Sequence, residues 1–382
     1  MSVIIFQHSC VNPERGGINR MSKVYFDILS EKGFDVWFLS IKDNALPQLP
    51  KQIIIKGDNR EERKESFLDI MKQFHAKVLI YQDGISPYNN YILRWAKEAN
   101  IKIIDVIHST LRGMYGIDGH SFLSGIKPFF LKKVVNRAVN SYFKLKYARY
   151  YREQFKLCDK VILLSDKFRN EITTFTGWDD FTKFHSISNP LPLSPHLSSM
   201  PKKNIVLHVG TLSASKRQDL LMNIWKKVEK RMPNWDLVIL GDGRKRHDLE
   251  KLSQKLKLCR VHFMGFQNPE TYYQEASLFC LTSAFESFGL VLVESMAYGC
   301  VPIAFNSFET ACDIIDNEMN GLLIPPFDIN LYSERMISLM QEKGKREEMS
   351  ARAIIKSKVF NINVIGKQWI RLVESLGVYP HN

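Results

Sequence analysis

Two glutamates, Glu286 and Glu294, stand eight positions apart with an almost wholly apolar run between them. A carboxylate accepts two hydrogen bonds at once, which suits the neighbouring hydroxyl groups of a sugar ring or a ribose. A helix that only packs in a core needs no charge at either position. The stretch SAFESFGLVLVESMAYGCVPIA is therefore a candidate ligand site. An exposed helix whose two acids form surface ion pairs is the alternative.

The residues around these glutamates predict a strand followed by a helix. ASLFCLTS has the continuous apolar character of a buried strand, and FGLVLVESMAY predicts a helix that ends at the following glycine. Glu286 would lie in the turn before the helix, and Glu294 about one and a half turns inside it. Free N–H groups at the helix start, around Phe288, Gly289 and Leu290, would form an anion site suited to a diphosphate.

The rest of the chain predicts two α/β domains. Apolar segments alternate with helical stretches, a pattern typical of parallel sheets covered on both faces. The predicted strands are VIIFQH, DVWFLS, KVLIYQDG, KIIDVIH, KVILLS, IVLHVG, LVILGDG, VHFMGF, ASLFCLTS and VPIAFN. The alternation is interrupted at the proline- and serine-rich stretch 189–204, which predicts a linker.

We therefore expect two Rossmann-like, doubly wound domains that face each other across a cleft. The first domain would span 1–196 and the second 197–360. A terminal helix in 361–382 would be able to cross back to the first domain. Because ligands of open α/β sheets bind beyond the carboxyl ends of the strands, the polar and glycine-rich residues after each strand should line that cleft.

Composition is typical of a globular, cytoplasmic protein. The chain has 382 residues, of which 45% are hydrophobic and 24% charged. This length is typical of a protein with two domains, each with its own hydrophobic core. It contains no apolar run of about eighteen residues, and its N-terminus lacks the basic region of a signal peptide. Six scattered cysteines without a C-x-x-C pair indicate buried thiols rather than a disulfide framework or a zinc site.

The net charge of +13 is concentrated in the first half of the chain. The segment 127–152 contains eight Lys or Arg, seven Phe or Tyr and no acidic residue. A basic helix with interspersed aromatic residues suits an anionic membrane surface or a polyphosphate ligand. A solvated helix that packs one apolar stripe, including Tyr142 and Leu145, on its own domain is the alternative. Nucleic acid is not an expected partner, because no recognisable binding module accompanies the charge.

The motifs around the two glutamates resemble those of the retaining enzymes of glycosyltransferase family 4, which have the two-domain GT-B architecture. The family's E-x7-E signature and the sequence that follows it match Glu286 through Ala304, with Ser295 in place of the common alanine. HVGTLSASKRQDLLMNIW is similar to the family's phosphate loop. PERGGINR, DVIHST, CDKVILLS, LVILGDG, VHFMGFQ and NGLLIPPFD are similar to its other motifs, so the resemblance covers nearly the whole chain.

The resemblance implies a role for each matching residue. Glu294 would bind the ribose hydroxyls of the donor, and Glu286 would contact the transferred sugar. Lys216 would neutralise the departing diphosphate, and His108 would lie on the acceptor side near the sugar. The further donor-binding positions implied are Gly17, Gly210, Thr211, Arg217, Gly241, Asp242, Phe266, Phe288, Gly289 and Leu290.

The chain departs from the family pattern at two places. Thr211 stands where the family has an arginine that works with the later lysine, and Arg217 is the candidate replacement. The segment NSFETACDII, 306–315, replaces a Gly-Gly-x-x-E segment that commonly contacts the sugar. The identity of the donor sugar is therefore not predicted.

The function implied is retaining transfer of a sugar from a nucleoside-diphosphate donor, with UDP-sugars favoured. The acceptor would be a glycan linked to a polyprenyl diphosphate, in bacterial surface-polysaccharide biosynthesis. Neither a metal nor another cofactor is expected, because Lys216, Arg217 and the helix start would stabilise the leaving group. Segment 127–152 would rest on the inner face of the cell membrane. A sugar-nucleotide epimerase of the same fold and a non-catalytic nucleotide-sugar-binding scaffold are the alternatives.

Overall fold

The computed structural model describes residues 2–14, 16–43, 49–83, 90–111, 129–192 and 201–380. The side chains of residues 129–140 and 143 lie outside the described part. The chain divides into two compact units. The described residues up to 192, together with 362–380, form the first unit, and residues 201–361 form the second.

The first unit is built on a seven-stranded sheet whose strand pairs are all parallel, in the order β3-β2-β1-β4-β5-β6-β7. Its strands are β1 (Ser2–Phe6), β2 (Asp35–Ser40), β3 (Gln52–Ile54), β4 (Ala76–Tyr81), β5 (Lys102–Ile107), β6 (Lys160–Leu163) and β7 (Phe184–Ser186). The helices are α1 (Gly17–Glu31), α2 (Arg60–Gln73), α3 (Asn90–Glu98), α4 (Phe129–Leu157) and α5 (Phe168–Thr176), and the last helix of the chain, α13 (Ile362–Glu374), joins them.

Helix α13 packs against α1. Helix α1 buries Met21, Tyr25 and Ile28 at helical spacing. The fully buried Trp369 of α13 stacks on Tyr25 with ring centroids 4.3 Å apart. The Tyr25 hydroxyl donates a hydrogen bond to Asn189 Oδ1 over 3.0 Å. Tyr25 therefore contacts both Asn189, which follows the last strand of this unit, and helix α13.

The second unit has a six-stranded parallel sheet in the order β10-β9-β8-β11-β12-β13. Its strands are β8 (Lys203–Val209), β9 (Asp236–Leu240), β10 (Val261–Gly265), β11 (Ala276–Leu281), β12 (Val301–Phe305) and β13 (Leu322–Ile324). Its helices are α6 (Gln218–Glu229), α7 (Arg246–Leu256), α8 (Glu270–Glu275), α9 (Leu290–Ala297), α10 (Ala311–Ile314), α11 (Ile329–Gln341) and α12 (Lys343–Ser357). Short 3-10 turns cover Ala214–Lys216 and Lys358–Phe360.

The predicted fold class, two doubly wound α/β domains with parallel sheets, is confirmed. All the predicted strands form, because near-continuous apolar segments are what a sheet covered on both faces requires. Three further strands, β3, β7 and β13, were not predicted. Each has three residues, too few to give a recognisable pattern, and lies at the edge of its sheet. Within the described residues, no helix has the length and hydropathy required to cross a lipid bilayer.

Candidate active site

The candidate site lies where the strand order of the second sheet reverses, between β8 and β11. In sheets of this kind, the loops after the two central strands diverge and leave a crevice for a ligand. The loop after β8 carries Lys216, and the loop after β11 carries Glu286. Two hydrogen bonds hold these loops together, from Ala284 N to Ser215 O over 2.8 Å and from Thr282 Oγ1 to Lys216 O over 3.2 Å.

Lys216 and Glu286 form an ion pair in this crevice. The Nζ atom of Lys216 lies 2.6 Å from both carboxylate oxygens of Glu286, and Ser283 Oγ donates to Oε1 over 2.7 Å. The side chains are 25% and 9% exposed respectively. An ion pair with so little exposure holds each charge in place, and loss of one partner leaves the other uncompensated. An incoming anion would compete with Glu286 for the ammonium group.

The turn after Glu286 is fixed by glycine conformation and by hydroxyl groups from the loop after β12. Gly289 has φ 85°, and a Cβ atom there would lie 3.2 Å from the Phe308 ring, so only glycine fits without strain. Ser307 Oγ donates to Ser283 O over 2.6 Å, and Thr310 Oγ1 donates to the carbonyl of the buried Phe288 over 2.8 Å. The segment that departs from the family pattern thus holds the Glu286 turn.

Helix α9 starts at Leu290 with its first-turn N–H groups facing this turn. No side chain caps this helix start among the described residues. The first N–H groups of any helix have no partner within the helix, and the helix dipole adds a partial positive charge there. The start of α9, directly after the Glu286 turn, therefore has the properties of an anion site.

Glu294 lies in the second turn of α9 and is only 2% exposed. Tyr273 donates its hydroxyl to Glu294 Oε2 over 3.1 Å. The ring of Tyr273 stacks on Tyr298 at 5.8 Å, and Tyr298 in turn donates to Glu270 Oε1 over 2.9 Å. Because Glu294 is 2% exposed and the Glu286 side chain 9% exposed, the two acids do not form surface ion pairs, and that alternative is wrong.

Arg217, the residue after Lys216, is paired with Asp219. It adopts a left-handed conformation with φ 50°, and its guanidinium donates to both oxygens of Asp219 over 3.0 and 3.1 Å. The guanidinium also lies 5.5 Å from the centre of the Phe327 ring, a cation–π distance. Arg217 therefore already has a carboxylate partner. Thr211, at the start of this loop, is exposed.

Close backbone packing explains the glycines after β9. At Gly241, with φ 129°, a Cβ atom would lie 2.1 Å from the carbonyl oxygen of Gly210. Asp242 is exposed and accepts a hydrogen bond from Arg246 over 3.0 Å, and the Phe266 ring after β10 is 83% exposed. A flat exposed ring beside closely packed backbone is suited to stacking on a nucleobase.

The remaining predicted residues, His108 and Gly17, lie in the first unit. His108 follows β5, is buried, and contacts Gln82 Oε1 through Nε2. Because an amide oxygen only accepts, Nε2 carries the proton, and burial lowers the pKa of His108 to about 4. Gly17 is the first residue of α1, and a Cβ atom there would meet nothing within 4 Å. The protein itself therefore places no steric demand for glycine at position 17.

The structure describes only part of the basic segment 127–152. Residues 127 and 128 and the side chains of 129–140 and 143 lie outside the described residues. In the described part of α4, Tyr142 is 57% and Leu145 is 83% exposed, whereas Tyr151 and Phe155 are fully buried. The alternative in which Tyr142 and Leu145 belong to the packed stripe is therefore wrong, because α4 packs through a different face.

Several residues of the second unit that hold the site were not predicted from the sequence. Tyr273 and Thr310 contact the predicted residues directly, and His208 and Gln218 lie beneath the Lys216 loop. The only sequence signal for this group is the presence of polar residues within or next to apolar strands.

Comparisons with known proteins agree with this geometry. Residues 194–356 match the family model of glycosyl transferases group 1. A protein of Haemophilus influenzae, named only as an uncharacterized glycosyltransferase, is 26% identical over 369 residues, which cover 93% of this chain and 95% of that protein. In Campylobacter jejuni, a GalNAc-alpha-(1->4)-GalNAc-alpha-(1->3)-diNAcBac-PP-undecaprenol alpha-1,4-N-acetyl-D-galactosaminyltransferase is 28% identical over 259 residues, or 65% of this chain and 69% of that enzyme.

The fold is also that of solved glycosyltransferases. Sucrose-phosphate synthase from Thermosynechococcus elongatus superposes with a TM-score of 0.76 at 20% sequence identity, over 99% of both chains. This likeness extends through both units, whereas the match to the family model is confined to the second half of the chain. The chain is therefore a glycosyltransferase with the GT-B fold, and its residues 194–356 match the glycosyl transferases group 1 model.

Proposed function

We propose that this protein is a retaining glycosyltransferase that moves a sugar from a nucleoside-diphosphate donor, with UDP-sugars favoured, to a lipid-linked glycan in bacterial surface-polysaccharide biosynthesis. The observation that carries the proposal is the Lys216–Glu286 pair, with 2.6 Å contacts at the reversal point of the second sheet. A positive side chain, a buried carboxylate and a helix start converge there. Such a site suits a diphosphate attached to a sugar.

The proposed chemistry follows from the charge that develops in the reaction. The bond between the anomeric carbon and the diphosphate oxygen breaks, and the bond to the acceptor oxygen forms on the same face. The Lys216 ammonium and the N–H groups at Leu290 would stabilise the negative charge on the leaving diphosphate. Arg217 would add a second positive charge after release from Asp219. The departing phosphate would accept the proton of the acceptor hydroxyl, and no metal ion would be required.

The other site residues would bind and orient the substrates. Glu286 would accept hydrogen bonds from the transferred sugar once Lys216 turns to the diphosphate. Glu294, oriented by Tyr273, would bind the ribose, and Phe266 would stack on the base. His108 is a poor proton acceptor near neutral pH, because burial lowers its pKa to about 4. Its role would be to orient a sugar hydroxyl by hydrogen bonding.

The acceptor is inferred from a relative and from helix α4. The Campylobacter relative is named for an acceptor linked to undecaprenol through PP. In this chain, α4 exposes the apolar side chains of Tyr142 and Leu145 next to Lys144 and Lys146. Apolar side chains flanked by lysines suit the interface of an anionic membrane, where a lipid-linked acceptor would be found.

The substitution Leu145→Asp is expected to reduce binding to liposomes that contain anionic lipid. It replaces an 83% exposed apolar side chain with a negative charge. The variant would bury less apolar surface in the membrane and would be repelled by the anionic lipids. Sedimentation with vesicles should show at least a fivefold smaller bound fraction. The matched control is Ile355→Asp, at a 64% exposed position in the second unit, which should bind like the unmodified protein. Equal binding of all three proteins, or binding indifferent to salt, contradicts the membrane proposal.

The proposed activity is tested by nucleotide release from UDP-, GDP- and dTDP-sugars in the presence of EDTA. Release of one nucleoside diphosphate, increased by a lipid-diphosphate glycan, is the expected result, and Glu286→Ala should abolish that increase. A changed free nucleotide sugar without release would instead indicate an epimerase. Binding without any turnover, unaffected by Glu286→Ala, would indicate a scaffold.

A further inference from the structure

A buried histidine connects the centre of the second sheet to the loop that carries Lys216. His208 lies on β8 with none of its surface exposed, and its Nδ1 atom is 2.9 Å from the carbonyl oxygen of Cys280 on β11. Because a carbonyl oxygen only accepts, Nδ1 carries the proton and Nε2 presents a lone pair. Burial lowers the pKa of His208 to about 4, so the ring is neutral near neutral pH.

The side-chain amide of Gln218 links His208 to the loop that carries Lys216. Gln218, the first residue of α6, is 1% exposed, and its Nε2 atom lies 3.2 Å from His208 Nε2. The same Nε2 atom donates to the carbonyl oxygen of Thr211 over 3.0 Å. The two N–H groups of one amide are thus divided between the imidazole and the loop. Because the histidine accepts one of them, the amide is oriented with the other towards Thr211.

We propose that His208 and Gln218 are positioning residues that fix the conformation of loop 210–217, and thereby hold Lys216 in place for a nucleoside diphosphate. This inference rests on the proposed function and adds two residues to its donor site. Without the Gln218 amide, the carbonyl of Thr211 would lose its side-chain hydrogen bond and the loop would gain conformational freedom. A ligand that needs an ordered loop then binds less tightly, because it must supply the ordering itself.

The geometry allows the two contacts of His208 to be separated by substitution. Asparagine reaches the position of Nδ1, so His208→Asn keeps a donor for Cys280 O and removes the acceptor for Gln218. Glutamine reaches the position of Nε2, so His208→Gln keeps an acceptor for Gln218 and removes the donor for Cys280 O. Gln218→Met retains the length of the side chain and removes both of its N–H groups.

The first readout is binding of UDP, with GDP and dTDP as parallel probes, measured by calorimetry on the full chain. We expect about a tenfold higher Kd for the preferred nucleotide in His208→Asn and in Gln218→Met, as for loss of one hydrogen bond. His208→Gln should stay within twofold of the unmodified protein. The double variant His208→Asn/Gln218→Met should be no weaker than either single one, since both act through one connection.

The second readout, hydrogen exchange of the amides in loop 210–217, needs no nucleotide. Exchange should be about tenfold faster in His208→Asn and Gln218→Met, and unchanged in His208→Gln. A purely structural role predicts instead that both histidine variants lose melting temperature and affinity together. The inference is overturned if Gln218→Met leaves loop exchange unchanged, or if His208→Gln is as impaired as His208→Asn. Faster loop exchange without any nucleotide binding would support the positioning role and contradict the proposed donor class.

Discussion

Replacing Lys216 with methionine is expected to lower kcat for sugar transfer by about two to three orders of magnitude. The ammonium group lies 2.6 Å from Glu286 in the crevice where the departing diphosphate would gain charge. Loss of a preorganised charge at such a point raises the barrier by about 3–4 kcal/mol. KM for the donor should change much less than kcat, because the interaction strengthens as the negative charge develops. Steady-state kinetics with the preferred nucleotide sugar measures both.

A control is needed because Lys216→Met also leaves Glu286 unpaired. Glu286 is 9% exposed, and an uncompensated charge at that depth destabilises the folded state. The double variant Lys216→Met/Glu286→Gln removes both charges and should recover the melting temperature while remaining inactive. If this variant recovers transfer to within tenfold of the unmodified enzyme, Lys216 acts on stability and not on the leaving group.

Replacing Asp105 with asparagine is expected to stabilise the first unit by roughly 4 kcal/mol at pH 8 and very little at pH 4. Asp105 lies on β5, fully buried, and Gln154 Nε2 donates to its Oδ2 over 2.8 Å. Burial raises its pKa from 3.8 to about 7. The folded state therefore holds this proton more tightly than the unfolded chain. The resulting stability is fully present below pH 3.8 and is lost as the pH rises through 7.

Asparagine is neutral at every pH and still offers an oxygen to Gln154, so the variant avoids that loss. The measurement is native-state hydrogen exchange of the β5 amides at pH 4 and pH 8, in both proteins. The control is Glu31→Gln, which neutralises an exposed acid of the same unit and should show no such pH dependence. His108 gives the folded state the opposite pH dependence. Because its pKa is lowered, its contribution to stability is lost as the pH falls from 6.5 to about 4. The contribution of His108 is the same in the unmodified protein and in Asp105→Asn, so it cancels in the difference between them. Equal protection at pH 8 would contradict a buried charge at Asp105.

The sequence predicted the elements that long apolar segments specify. Strands such as β11 and β12 are recognisable because a sheet covered on both faces excludes polar residues almost completely. The three-residue edge strands are too short to give that signal, even where all three residues are apolar, as in β13. The face on which α4 packs was also not predictable, since helical spacing groups residues but does not say which group meets the protein. Tyr142 and Leu145 fit an apolar stripe, and both are exposed.

The candidate site was predicted as a set of residues but not as a set of contacts. The spacing of Glu286 and Glu294 indicated a ligand site, yet nothing in it specifies that Glu286 binds Lys216. That contact depends on the neighbouring positions of β8 and β11 in the sheet, which are far apart in the chain. His208 was not found because a histidine within an apolar strand has the same pattern whether or not it holds a loop.

The packing of α13 on α1 has a consequence for synthesis of the chain on the ribosome. Tyr25 emerges first, whereas its partner Trp369 emerges only after the whole second unit has been translated. At about 5–20 residues per second, that interval is roughly 20–70 s. The second unit can therefore complete its core while α1 still exposes the apolar face that α13 covers. A nascent chain stalled before residue 362 would present that face to chaperones and proteases, although most of its sheet is already made.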